Sequence, residues 1–302
     1  MIHKYLLPLL FTIIVFNLHA KEIKFESVKN VGFVADFYPS ADKNKYGILV
    51  LGGSGGGKPT HLANKIARLG YSVLSLAYFK EEGLPAELEM IPLEYFDAPK
   101  QWLLDNKQTR SDGLIVVGWS KGAELSLLLA SRDELYKGVI GIAPSSVIWP
   151  GILKDWSKVP SSSWSENSNP LPFVPFATGI EFKGVADLYE QSLKNKDAVS
   201  NAQINVASIN SPTLLLTGGL DEIWPAEKMA KFSCDKMNLG RQIKICNHIN
   251  YPNAGHLLDE KFIIGGSMEA NAAANKSSTQ QIRLFLSLEN TLKLDRLRLK
   301  TR

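Results

Sequence analysis

Cysteine is scarce in this 302-residue chain: Cys234 and Cys246 are the two it has. That excludes a small scaffold stapled by several disulfides. Charge of one sign is also scarce. The formal net charge is +4, and the single local excess is the basic tail Lys293, Arg296, Arg298, Lys300 and Arg302. No aromatic residues are interleaved with it, so it reads as a solvated last helix and nucleic acid is not an expected partner. Internal repeats and long low-complexity segments are missing, which excludes a solenoid or a disordered chain. No apolar run is long enough for a comfortable transmembrane span.

One apolar run does carry information. Lys4 precedes the stretch from Leu6 to Phe16, and Leu18-His19-Ala20 follows. A charged start, a short apolar segment and a small residue at a cleavage point read as a secretory signal peptide over residues 1–20, with an uncleaved anchor as the alternative because Leu18 departs from the ideal small residue. The chain is therefore expected to be exported, periplasmic or secreted, with no stable membrane span after cleavage. In an oxidising compartment Cys234 and Cys246 can pair. Their spacing leaves open whether they do, because pairing depends on Cα separation.

The remaining 282 positions, 21–302, are enough for one large α/β core, with 45% of the chain hydrophobic. Short apolar runs at Ile48–Leu51, Tyr71–Leu76, Leu114–Val117, Val139–Ala143 and Thr213–Thr217 read as buried strands. Helical stretches follow them, from Thr60 to Leu69 with Gly70 closing it, up to about Asn106, from Ala123 to Ala130, and from Ala226 to Asn238. Gln242–Cys246 is expected as the last strand and Ser277–Glu289 as a closing helix. Strands alternating with helices predict a doubly wound, mostly parallel sheet. Residues 145–211 break the pattern. Trp149, Trp156, Trp164, Phe173 and Phe176 stand there among many Ser and Pro residues. The segment is expected as a cap-like insertion whose aromatics pack its own core or line a substrate pocket.

Gly118-Trp119-Ser120-Lys121-Gly122 joins a β-branched run to a run of helix formers. A serine on a sharp strand-to-helix turn is exposed to substrate, and flanking glycines leave room for the neighbouring backbone. A hydroxyl needs a base, and the base needs an orienting acid. His3 and His19 fall in the export segment, His61 in the first turn of a helix and His248 at the end of the last strand. His256, in the small-residue loop Asn253-Ala254-Gly255-His256, is the best base. Asp221, beside Glu222 in a loop after an earlier strand, is the best acid. The order Ser120, Asp221, His256 is that of an α/β-hydrolase. Backbone N–H groups of Lys121 and Ser54 are expected to form the oxyanion hole, with Gly55 as the alternative to Ser54. The loop Gly52–Lys58 also satisfies part of a phosphate-binding pattern. However, Pro59 stands where a metal-ligating hydroxyl belongs.

The motifs Leu51-Gly52-Gly53-Ser54-Gly55-Gly56, Ile91-Pro92-Leu93-Glu94-Tyr95-Phe96, Gly118-Trp119-Ser120-Lys121-Gly122-Ala123-Glu124-Leu125, Gly219-Leu220-Asp221-Glu222-Ile223-Trp224-Pro225 and Asn253-Ala254-Gly255-His256-Leu257 resemble a known family. It is the catalytic domain shared by acyl-CoA thioesterases and bile acid-CoA:amino acid N-acyltransferases, dienelactone-hydrolase-like members of the α/β-hydrolase superfamily. The resemblance implies an α/β-hydrolase fold, a covalent acyl-enzyme, and Ser120, Asp221 and His256 as triad positions. The family uses Ser or Cys as nucleophile, and here it is Ser.

The expected function is an exported serine hydrolase cleaving a carboxylic ester or thioester, with no cofactor and no metal. An acyltransferase is the alternative on the same chemistry, and a non-catalytic binding module the alternative of another class. The sequence carries no signal for an oligomeric state.

Overall fold

The computed structural model describes residues 23–29, 31–155 and 157–300, with side chains as far as residue 288. Residues 1–20, expected to direct export, Trp156 and the side chains of the basic tail lie outside the described residues.

The chain begins with strands β1 (Glu26–Val28), β2 (Val34–Tyr38) and β3 (Gly47–Leu51), then helix α1 (Thr60–Ala67) and strand β4 (Val73–Ala77). A two-residue strand β5 (Ile91–Pro92) and helix α2 (Asp97–Asp105) lead to β6 (Leu114–Trp119), α3 (Lys121–Ala130) and β7 (Tyr136–Ile142). The following segment holds two short strands, β8 (Trp164–Glu166) and β9 (Asn169–Pro170), and helices α4 (Val185–Ser192) and α5 (Lys196–Asn201). The chain then completes β10 (Thr213–Gly218), α6 (Ala226–Asn238), β11 (Cys246–Tyr251) and α7 (Met268–Lys300).

Eight strands form one sheet in the order β1-β2-β4-β3-β6-β7-β10-β11. Pairings from β4 to β11 are parallel, while β2 runs antiparallel to β4 and β1 antiparallel to β2. The doubly wound, mostly parallel sheet expected from the alternation is therefore present. Period-2 geometry with both faces covered explains why its central strands are continuously apolar. Leu49 and Leu51 of β3, with Leu114 and Val116 of β6, enter the core on one face. Ile48 and Val50, with Ile115 and Val117, enter the core on the other.

The order also locates the crevice. From β3 the chain moves to β4 on one side, then crosses to β6 on the other. The carboxyl ends of β3 and β6 therefore flank a switch point, where open α/β sheets bind ligands. The glycine loop leaves β3 there, and Ser120 leaves β6.

Residues 145–211 add no strand to the main sheet. β5, β8 and β9 make a separate small sheet. Trp149 and Trp164 are fully buried. Trp149 packs with Tyr189, their ring centroids 4.6 Å apart, and Tyr189 packs with Trp224 at 5.6 Å. Trp149 lies in a cluster that includes Ala143, Trp224 and Met229 from outside the insertion, and Trp164 lies in the core against the main sheet. Phe173 and Phe176 instead line a cavity of about 630 Å³ together with Pro150 and Val159.

Two element boundaries are corrected. The last strand is Cys246–Tyr251, not Gln242–Cys246. The isoleucines at 243 and 245 alternate like a strand, but Ile243 is 80% exposed. The Asn238 carboxamide ends the connection by accepting from the N–H groups of Ile245 and Cys246 and donating to the Cys246 carbonyl. Pairing with β10 starts at Cys246, so His248 lies within the strand and not at its end. The closing helix starts at Met268, because the Asn271 side chain and Ser267 hydroxyl organise its first turn. Cys234 of α6 and Cys246 of β11 form a disulfide with a Cα separation of 5.0 Å, within the range the bond allows.

Candidate active site

Ser120 sits at the β6–α3 junction with φ 53° and ψ −123°. A non-glycine residue at positive φ stores strain, which the surroundings must overdetermine. They do so through close backbone packing. A Cβ on Gly118 would overlap the Gly122 carbonyl, and a Cβ on Gly122 would overlap the carbonyls of Leu51 and Gly52. The turn is thus tight on its inside and wedged against the end of β3 on its outside. The Ser120 N–H donates to the Ile142 carbonyl at 2.8 Å, and its own carbonyl accepts from Ala123 and Glu124.

The three residues expected as a triad are brought together. Ser120 Oγ lies 2.8 Å from His256 Nε2. His256 Nδ1 lies 2.7 Å from Asp221 Oδ2. The other oxygen of Asp221 accepts from the N–H groups of Ile223 and Trp224, which fixes the carboxylate plane. Ser120, Asp221 and His256 follow the carboxyl ends of β6, β10 and β11, so segments leaving one end of the sheet supply one cluster. Ser120 is 7% and His256 2% exposed, and a pair so dry interacts more strongly than it would in water. The Trp224 indole meets the His256 ring edge-on at 5.6 Å and donates to the Ala143 carbonyl.

Lys121 opens α3, where a backbone N–H has no acceptor inside the helix. Ser54 lies exposed in the turn of the glycine loop. The neighbouring Gly53 packs on Ser120: a Cβ there would stand 3.2 Å from Ser120 Cβ. The loop's lysine does not point to a phosphate cradle. Lys58 Nζ is held by Asp36 Oδ1 at 2.9 Å.

The Lys121 side chain is buried, as is Glu124 one turn on, and the two are joined at 2.6 Å. The same oxygen of Glu124 accepts from the Trp164 indole at 2.7 Å, tying the insertion to the helix behind Ser120. Burial pushes the Glu124 carboxyl up and the Lys121 ammonium down, and the opposite charge pulls each back.

Sequence reasoning missed two groups. Asn271 accepts from the Gly255 N–H at 2.9 Å and donates to the carbonyls of Gly265 and Ser267, holding the loop that carries His256. Its only sequence signal is a polar residue in the first turn of a helix. The burial of Glu124 was likewise invisible, since a helix glutamate is ordinarily solvated. His61, an ordinary surface residue by sequence, is paired with the buried Asp259 at 2.9 Å. Among the described residues no cluster of three or more His, Cys, Asp or Glu is arranged to hold a metal ion, and no helix is long and apolar enough to cross a membrane.

Sheet order, switch point and the strand–turn–helix at Ser120 define an α/β-hydrolase. The same architecture is found in a putative dienelactone hydrolase of Klebsiella pneumoniae, with a TM-score of 0.54 at 14% identity over 87% of this chain and 97% of that one. Residues 91–290 match the family described as BAAT / Acyl-CoA thioester hydrolase C terminal, and the chain belongs to that family. It is 28% identical to mouse acyl-coenzyme A thioesterase 5 and 27% identical to human acyl-coenzyme A thioesterase 1. Both alignments take in 79% of this chain and 59% of the relative, so the chain spans well under two thirds of those proteins.

Proposed function

We propose that this chain is an exported serine hydrolase that cleaves a carboxylic ester or thioester through an acyl-Ser120 intermediate. The observation that carries the reading is the continuous run from Ser120 Oγ through the His256 imidazole to Asp221, at 2.8 and 2.7 Å. Ser120 Oγ attacks the acyl carbonyl carbon as its proton passes to His256 Nε2. Negative charge then collects on the carbonyl oxygen, where the N–H groups of Lys121 and Ser54 receive it. Collapse of that adduct breaks the bond to the alcohol or thiol, which leaves with the proton from His256. Water attacks the acyl-serine and gives His256 a proton. The carboxylic acid departs, and Ser120 recovers its hydrogen. Asp221 holds the imidazole in the tautomer that presents Nε2 to the serine and stabilises its charged form.

Family membership supports thioester chemistry. The stretch from Lys4 to Ala20 supports export, away from the compartment where CoA is made. Simple carboxylic esters are therefore expected to be turned over with a higher kcat/KM than acyl-CoA of matched chain length. The test is hydrolysis of both series by purified protein, with fluorophosphonate labelling mapped by mass spectrometry. A label on Ser120 and preference for simple esters support the reading. Preference for acyl-CoA, with the mature protein retained in the cytoplasm, overturns the substrate assignment. Failure to label overturns the mechanism and favours a binding module. An acyl product that appears on an added amine or alcohol instead of water identifies an acyltransferase.

A further inference from the structure

His256 lies on the connection between β11 and α7, and three residues further on stands Asp259. Its side chain is 1% exposed, although the groups around it are partly open to solvent. A carboxylate in that position is costly unless it is paired. Its Oδ2 lies 2.9 Å from His61 Nε2 and 3.8 Å from Lys65 Nζ, both on α1. Its Oδ1 accepts from the N–H of Lys261. The base loop is thus pinned to a helix that is nearly 200 residues away in sequence, at a separation of 198.

His61 reaches a second part of the site as well. Its ring stacks on Trp119, the residue before the nucleophile, at 6.2 Å and 18°. Phe262, from the base loop, meets both rings edge-on, at 5.2 Å from His61 and 5.4 Å from Trp119. α1 itself starts directly after the glycine loop. One side chain therefore touches the segment carrying the nucleophile and the segment carrying the base, and belongs to the helix that anchors the loop with the oxyanion donor.

We propose that His61 and Asp259 form a positioning pair that sets the distance between His256 and Ser120, which rests on the triad reading above. Neither residue meets the reacting atoms, so neither is catalytic. Leu258, between His256 and Asp259, holds φ at 53°, a conformation that is strained for a non-glycine residue. Asp259 anchors the far end of that kink. The contacts of Asn271 with Gly255, and of the His256 N–H with the Ile264 carbonyl, fix the loop within itself and to α7. The His61–Asp259 pair fixes it to the nucleophile side. Loss of that tie lets the imidazole drift from Ser120 Oγ, and a shift of about 1 Å in a reacting group costs up to ~100-fold.

The experiment compares His61→Leu, His61→Gln, Asp259→Ala and wild type on p-nitrophenyl butyrate. Each protein is titrated to completion with a fluorophosphonate, so that kcat is expressed per active site and loss of folded protein is removed. His61→Leu keeps the bulk but has no donor. It is expected to lower kcat by roughly tenfold with KM within about twofold. His61→Gln supplies an N–H at similar reach and is expected to restore kcat to within about threefold of wild type. Asp259→Ala should match or exceed the loss in His61→Leu. If it fails to fold, the two His61 variants decide the matter. Equal kcat per titrated site in wild type and His61→Leu overturns the proposal, as does a glutamine variant no better than the leucine. A wild type that neither labels nor turns over overturns the triad reading, and the proposal with it. An active wild type with unchanged variants overturns the pair alone.

Discussion

The two sides of the site share close backbone packing and differ in what is added to it. The Ser120 side rests on backbone against backbone: Gly118 on Gly122, and Gly122 on the ends of Leu51 and Gly52. The His256 side has such packing too, with Gly255 against the Gly265 carbonyl and Gly265 against that of Leu220, and adds side-chain ties: Asn271 on Gly255 and Gly265, and Asp259 on α1. Backbone packing is stiff, and it tolerates no added atom. Side-chain ties are softer, are replaceable by other donors, and depend on residues far away in the chain. Damage to the backbone contacts should therefore be all-or-none, and damage to the side-chain ties graded.

The comparison can be broken in four places, taken in order of expected effect on turnover. Ser120→Ala removes the nucleophile itself. kcat is expected to fall by roughly 10⁴-fold or more with the denaturation midpoint unchanged, and near-normal turnover in the folded variant would refute the mechanism. Gly122→Ala tests the stiff contacts. Its methyl meets carbonyls that cannot move aside, so a loss of about 3 kcal/mol or more is expected in urea unfolding. A stable and active alanine variant would show that the elbow yields after all. Asn271→Ala tests the soft ties. It leaves the buried Gly255 N–H without its acceptor, at about 1–3 kcal/mol, and turnover per active site should fall while KM is kept. A change in KM alone would place Asn271 in substrate binding instead. Reduction of the Cys234–Cys246 bond is the contrast to both. It stabilises by about 3 kcal/mol at most in the chain-entropy model, yet it joins α6 and β11 at the end where β11 begins. Unfolding should come at lower urea with turnover unaltered, and a matching loss of turnover would tie the two ends of the sheet together.

The smallest effect expected is on pH dependence, and it belongs to neither side. Burial holds the His248 imidazole below its ordinary value of 6.5. The unfolded chain therefore takes up a proton near that pH which the folded protein refuses. His248 contributes stability that is full above this value and is lost as pH falls through it toward the depressed folded value. His248→Gln should flatten the fall in urea midpoint between about pH 7 and pH 5. An unchanged slope would assign the dependence to other groups.

How much of this was legible in the sequence follows the same division. The serine turn, its glycines and the strand before it are local, and local pattern carries them. Asp221 and His256 were found because the loops after parallel strands converge, which is a rule of topology. The pair of His61 and Asp259 was not legible, since nothing near either residue marks a partner so distant in sequence. Asn271 was not legible either, because a helix asparagine carries no sign of the glycine it will meet. The misplaced last strand has the opposite cause. Ile243 and Ile245 imitate a strand locally, and the capping of Asn238 on Ile245 and Cys246, a tertiary matter, overrules them. In the insertion, the composition gave away a departure from the sheet pattern but not the way Trp164 would meet Glu124.

β11 leads into the base loop and is also the outermost strand on its side of the sheet, as β1 is on the other. An outermost strand is where one molecule can recruit another, by offering unused backbone groups as a template. Here the template is poor at both ends. β1 is three residues long and starts with Glu26. β11 places Asn247, His248 and Asn250 among its six residues. The apolar strands that a growing fibre would need lie in the middle of the sheet, with neighbours on both sides. The eight-stranded sheet thus keeps its most adhesive sequence out of reach of other copies, and the residues that lead into the His256 loop help to blunt the rim.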